Sequence, residues 1–314
     1  MFVSSIKGNF LLVLVITCFC LPASVFILQN YISFHQKNGI HYVCQTFNGR
    51  LANHIYQYAS VYGIAKKHNF TIILGKDDDI VQYFELPSAE IRHSRKICEA
   101  FEVKLAKHCC VFDETFMNLP KNQSYLLGEY LQSWKYFSHV FNEVRKELKF
   151  KDRINDPIKS ILSDYREAYT LKYAQNVTIV GVHIRRGDLA SDDFSLGGVR
   201  PAPDEYIRHA IDYIYQEFKN IVFIVCSDDM EYAQVVMKYS KPPVEFVHNE
   251  PIHDLALLAN CDHVITTVGS YGWWAGFLSQ GIVLYYKYPM KEGTFERTEY
   301  NYDDFFPPNW IGLE

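Results

Sequence analysis

The chain has 314 residues, 31 Lys+Arg against 36 Asp+Glu, and a formal charge of −5. It is 48% hydrophobic and 21% charged, which excludes wholesale disorder and leaves room for one large or two ordinary domains. The acidic balance, without any long Lys/Arg run, excludes a nucleic-acid footprint.

Residues 10–28, FLLVLVITCFCLPASVFIL, form an uncharged apolar run about as long as a bilayer-spanning helix requires. Secretory signal cores are usually shorter, so the run predicts an uncleaved single-pass anchor. Residues 1–9, with Lys7, then form a cytoplasmic tail, and residues 29–40 a short polar stem. Everything beyond enters the secretory pathway. Three glycosylation sequons agree, at Asn69, Asn122 and Asn176, and Asn122 in its polar turn is the best acceptor. Of the eight cysteines, Cys18 and Cys20 sit in the apolar run. Cys98 is placed to pair with Cys109 or Cys110, and Cys226 and Cys261 read as buried thiols at strand edges. No CxxC or HExxH spacing supports a zinc site.

The body opens with a strand over 41–46, a Gly-containing turn over 47–50 and an amphipathic helix over 51–68. A strand over 70–74 follows, then a mixture of helix and loop over 77–120. A strand over 125–130 and helices over 134–148 and 156–169 complete the first half. In the second half strands at 177–184, 221–226, 244–247, 263–268 and 282–286 alternate with helices at 203–218, 230–239, 253–259 and 271–280. That alternation predicts a doubly wound parallel sheet. The first half also begins strand–helix–strand. The prediction is therefore α/β, with two facing Rossmann-like domains over 41–170 and 171–314.

Open α/β sheets bind ligands beyond the carboxyl ends of their strands. The strand at 177–184 delivers His183-Ile184-Arg185-Arg186-Gly187-Asp188 there. Arginine's planar fork suits a phosphate, although one arginine pairing with Asp188 to brace the loop is an equal alternative. The next strand delivers Ser227-Asp228-Asp229, which reads first as a helix N-cap. Asp254, near a helix start, suits either the helix dipole or a base edge. The last motif, Val268-Gly269-Ser270-Tyr271-Gly272-Trp273-Trp274, turns from a strand into a helix whose first N–H groups and Ser270 hydroxyl form an anion site. Its tryptophans read as core. Arginines at one strand end and an anion-binding helix start at another accommodate a diphosphate between them. For a secretory-pathway protein, a sugar nucleotide is the natural candidate.

Three blocks resemble the α1,2-fucosyltransferases, glycosyltransferase family 11. They are Gly49-Arg50-Leu51-Ala52-Asn53-His54 running on to Gln57-Tyr58-Ala59, then Gly181-Val182-His183-Ile184-Arg185-Arg186-Gly187-Asp188, and the stretch from Asp254 to Gly281. Leu131-Gln132-Ser133-Trp134-Lys135-Tyr136-Phe137 is similar to a fourth family segment. The resemblance implies a GT-B-type fold and a Golgi membrane protein of type II topology with a lumenal catalytic domain. It implies GDP-β-L-fucose as donor, a glycan acceptor, and inverting transfer with no metal and no cofactor. The hydroxyl it implies is the 2-position of a terminal β-galactoside. By the same resemblance Arg185 holds the β-phosphate, Arg186 stands in the same donor block, and Asn53 faces the acceptor or the reacting carbon. His183 and Asp254 lie near the nucleotide, and Ser270 and Tyr271 near the phosphates. Asp188 is a weak candidate base beside His54 and Asp193. Ala52 and His54 depart from the family's usual Gly and Gln, where the acceptor enters.

The alternatives are a fucosyltransferase of another linkage, a metal-dependent transferase using Asp77-Asp78-Asp79, and a non-catalytic lumenal protein that binds carbohydrate or a GDP-sugar. The acidic run reads better as a solvated helix start.

Overall fold

A computed structural model describes residues 39–190, 198–241 and 243–314. The expected tail, the anchor over 10–28 and most of the stem lie outside the described residues. Among the described residues no helix is long and apolar enough to cross a membrane.

The strands form two sheets, parallel throughout. The first contains β1 (Tyr42–Gln45), β2 (Thr71–Gly75), β3 (Ala89–Arg92), β4 (Glu102–Leu105) and β5 (Tyr125–Gly128), in the order β3-β2-β1-β5-β4. The second contains β6 (Thr178–Ile184), β7 (Ile221–Ser227), β8 (Val244–Phe246), β9 (His263–Thr266), β10 (Val283–Tyr286) and β11 (Ile311–Leu313), in the order β11-β10-β9-β6-β7-β8. Counted from β6, that is the doubly wound order 3-2-1-4-5-6. Each sheet reverses its strand order beside its first strand, between β1 and β5 in one and between β6 and β9 in the other.

Eight helices position the site: α1 (Leu51–His68), α2 (Asp79–Tyr83), α3 (Phe141–Glu147), α4 (Asp152–Tyr173), α5 (Asp204–Glu217), α6 (Met230–Val236), α7 (Pro251–Ala259) and α8 (Ser270–Ser279). Helix α1 ends where Asn69 turns into the left-handed region at φ 59°. The helix expected over 134–148 is broken into 3-10 turns at Trp134–Tyr136 and Ser138–Val140 before α3 begins. Tyr136 and Phe137 are adjacent and both fully buried, and they pack against different partners. Tyr136 packs on Phe112, while Phe137 packs on Tyr56 and Trp274. Helix α4 runs through residue 170 and packs on α7; Arg166 pairs with Asp262 at 3.0 Å and Asn260 donates to Asn155 at 3.0 Å.

One hydrophobic core runs from the first sheet into the second. Helices α1 and α8 meet there, with Tyr56, Phe137, Trp273, Trp274 and Phe277 linked in one chain of ring contacts. Both tryptophans are core residues, 1% and 0% exposed. The C-terminal Phe305 joins the same cluster, and its carbonyl accepts from Trp273 Nε1 at 2.8 Å.

Cys98 pairs with Cys44, not with Cys109 or Cys110. The bond ties β1 to the 3-10 turn Lys96–Ala100, while Cys109, Cys110, Cys226 and Cys261 are free thiols. Cys44 lies at the middle of a fully buried strand, a position that sequence separation does not reveal. With its ends 54 positions apart in the sequence, the crosslink restricts the unfolded chain substantially. Replacing Cys98 by Ser is expected to cost about 2–4 kcal/mol in urea unfolding. Asn69, Asn122 and Asn176 are all exposed.

Candidate active site

The two order reversals face each other. From the first sheet come the turn after β1, the start of α1 and the segment following β5. From the second come the loop after β6 and the start of α8. Ser270 Oγ donates to Asn53 Oδ1 at 2.6 Å, so the first turns of α1 and α8 touch. Helix N-termini carry partial positive charge and unpaired N–H groups, so both walls favour an anion.

Arg185 leaves β6 with its backbone N–H donating to Thr267 Oγ1 at 2.9 Å. Its Nε and Nη2 donate to the two carboxylate oxygens of Asp188 at 3.0 and 2.8 Å. The same carboxylate accepts from Arg50 Nη2 at 3.0 Å, across the two halves. Hydrogen bonds from Arg185, reinforced by both guanidinium charges, hold the Asp188 carboxyl down at about 2. It is therefore ionised and weakly basic at neutral pH. Its geometry is that of a brace for Arg185, not of a free base.

Gly269 makes this arrangement possible. Its φ is +93°, and a Cβ there would lie 2.7 Å from Arg185 Nη1. Gly49 plays the matching part opposite: its φ is +87°, and a Cβ would lie 2.2 Å from Asn53 Nδ2. The two glycines let the guanidinium and the amide lie against bare backbone.

The cleft has a volume of about 410 Å³ and is lined by Arg50, Asn53, His183, Arg185, Asp228, His248, Asn249, Asp254, Ser270 and Tyr271 among others. His183 is 7% exposed, and its ring contacts Tyr271 at 4.9 Å. Burial, assisted by the Arg185 charge and opposed by that of Asp228, pushes its imidazole down to about 4. Asp254 is also buried; its carboxylate accepts from the Asn249 backbone N–H at 3.1 Å and from Asn249 Nδ2 at 2.9 Å. Burial raises the Asp254 carboxyl above its ordinary value.

The structure brings together Asn53, His183, Arg185, Asp188, Asp254, Ser270 and Tyr271. Arg186 turns elsewhere, with its guanidinium 3.9 Å above the Tyr232 ring. Asp228 accepts from the N–H groups of Arg186 and Gly187, fixing the loop, while Asp229 caps α6. His54 does not line the cleft; its Nδ1 lies 2.8 Å from Asp79 Oδ1. Asp78 pairs with Arg95 at 3.0 Å, so the acidic run is partly tied into the first domain and not wholly solvated. Asp193 lies outside the described residues. Arg50, His248 and Asn249 went unassigned in the sequence. Arg50 stands inside a quoted block, whereas His248 and Asn249 follow a three-residue strand too short to announce its carboxyl end.

The depressed His183 value has a measurable consequence. Between pH 6.5 and about 4 the unfolded chain takes up a proton that the folded His183 refuses, so stability falls as pH drops through this window. His183→Asn is expected to reduce the stability difference between pH 7 and pH 4.5 by about 2–3 kcal/mol in urea titrations.

Comparison with known proteins gives a consistent picture. The galactoside alpha-(1,2)-fucosyltransferase 2 of Sus scrofa is 25% identical over 276 residues, covering 85% of this chain and 78% of the relative. A putative glycosyltransferase of Caenorhabditis elegans is 27% identical over 305 residues, covering 84% and 77%. Among solved structures, a mutant of Arabidopsis thaliana FUT1 in complex with GDP superposes with a TM-score of 0.52 at 14% identity, covering 87% of this chain and 80% of that one; the likeness is one of fold. The sequence model of glycosyl transferase family 11 matches residues 3–314. With that match over nearly its whole length, the chain belongs to glycosyl transferase family 11 and is a glycosyltransferase.

Proposed function

We propose that the protein transfers L-fucose from GDP-β-L-fucose to the 2-hydroxyl of a terminal β-galactoside, with inversion and without a metal, in a GT-B-type arrangement of its two sheets. The observation that carries this reading is Arg185. Its guanidinium is held by Asp188 beside the start of α8 and faces Asn53 across the cleft. The relative named as a galactoside alpha-(1,2)-fucosyltransferase supports the choice of sugar and linkage.

As the bond from the fucosyl anomeric carbon to the phosphate oxygen lengthens, positive charge develops on the sugar and negative charge on GDP. Arg185 and the N–H groups at the start of α8 meet that negative charge where it grows, the role of a preorganised oxyanion site. Asp254 and Asn249, at the far side of the cleft, suit the hydrogen-bonding edge of the base. Asp188, engaged by two arginines, keeps Arg185 in place. The apolar run at residues 10–28 supports a type II membrane protein of the Golgi with this cleft in the lumen.

The test is to incubate the full chain in detergent with GDP-fucose and a panel of β-galactosides, with and without EDTA, and to follow added deoxyhexose by mass spectrometry. Product that persists in EDTA and carries a 1,2 linkage is expected. Activity abolished by EDTA and restored by a divalent ion would overturn the metal-independent reading. Folded protein that binds no GDP-fucose would overturn the donor.

A further inference from the structure

Asn53 is held from behind as well as from the cleft. Gln132, 6% exposed, follows β5, and its Nε2 donates to Asn53 Oδ1 at 2.9 Å. Its backbone N–H donates to the Cys109 carbonyl at 2.8 Å. On its far side the thiols of Cys109 and Cys110 both donate to Gln132 Oε1 at 3.7 Å. That cysteine pair is itself pinned: Cys109 N–H donates to Glu299 Oε2 at 3.2 Å, and Cys110 N–H to the Glu299 carbonyl at 3.0 Å.

The chain of bonds has a direction. Burial pushes the Cys110 thiol well above its ordinary value, so it remains an S–H donor. An S–H is a weak donor, and two of them facing one amide favour its oxygen on their side. The Gln132 NH2 group then faces Asn53. Asn53 Oδ1 receives Gln132 Nε2 and Ser270 Oγ together, which uses both its lone pairs. The Asn53 NH2 group is thereby left to the Gly49 side, at the cleft.

We propose that Gln132 is a positioning residue for the transfer reaction: its amide, oriented by the Cys109 and Cys110 thiols, holds Asn53 so that Nδ2 donates toward the bound sugar phosphate. The proposal rests on the reading of the cleft as the GDP-fucose site. Gln132 touches no substrate itself and acts through Asn53.

Three variants of the full chain test it. Gln132→Met keeps the volume and removes the donor; kcat is expected to fall about tenfold, the loss of one neutral hydrogen bond, with the donor KM within about threefold. In an Asn53→Ala background the same substitution is expected to change kcat less than about twofold, since residues acting through one another are not additive. Gln132→Glu keeps the shape but donates only when protonated, so its kcat relative to wild type is expected to recover as pH falls from 7.5 to 5.5. A structural filler would give no such recovery. Wild-type kcat in Gln132→Met, or its full loss repeated on top of Asn53→Ala, would overturn the proposal. If Gln132→Met fails to fold, the pH recovery of Gln132→Glu decides alone. A crystal structure of either variant separates the two readings. If folded wild type binds no GDP-fucose, the donor assignment fails, while an Asn53 amide unmoved from Ser270 in the variant would still refute positioning by Gln132.

Discussion

Arg185→Ala is expected to lower kcat for fucosyl transfer by about 10²-fold or more, with the protein still folded. The magnitude follows from removing one preorganised donor at a site of developing negative charge. Among the described residues neither neighbouring arginine replaces it: Arg186 is stacked on Tyr232, and Arg50 reaches Asp188 from the other half. Arg185→Lys keeps the charge but loses the fork that grips both Asp188 oxygens, so it is expected to fall between the alanine variant and wild type. Arg185→Ala also leaves Asp188 with fewer cationic partners, and its carboxyl is expected to move up from about 2 toward the ordinary carboxylate range. Turnover within a fewfold of wild type in Arg185→Ala, with its melting temperature unchanged, would remove this residue from the mechanism.

The largest loss of stability is expected from Trp273→Ala, about 4–5 kcal/mol in urea unfolding. Trp273 is 1% exposed, with Tyr56, Trp274, Phe277 and Trp310 at ring distances of 4.7 to 5.3 Å. Truncation leaves a large cavity and strips the buried Phe305 carbonyl of its Nε1–H donor. The partners come from both halves of the chain, so unfolding is expected to remain a single transition at a lower midpoint. A loss below about 1 kcal/mol, or two separated transitions, would contradict a shared core.

The elements that the sequence made legible are those whose burial is extensive. Helix α1 matches residues 51–68, although it is not the one-faced amphipathic helix expected: Ile55 to Ala65 are buried without a break, while β6 and β7 match because they are buried almost throughout. The two outermost strands of the first sheet were lost in the mixed stretch 77–120. Ala89–Arg92 and Glu102–Leu105 have mostly exposed or half-exposed side chains, so they carry no apolar pattern. The strand Ile311–Leu313 is too short, with Gly312 at its centre. At the site, residues that follow strongly buried strands were legible: Arg185 and Asp188 after β6, and Ser270 after β9. Partnerships across the chain were not. Asp188 with Arg50, Asn53 with Gln132 and Cys44 with Cys98 are contacts between segments far apart in sequence, and periodicity carries no information about such pairs.

The aromatic packing of α1 against α8 also bears on motion. Swinging the two sheets apart would draw Trp273 off Tyr56 and break the Asn53–Ser270 bond, exposing fully buried rings to water. A hinge at that seam is therefore costly, and the walls of the cleft stand at their working separation before any substrate arrives. Substrates then meet a rigid slot rather than jaws that must shut. Whatever gating the enzyme needs falls to loops at the mouth, and turnover need not wait for domains to close.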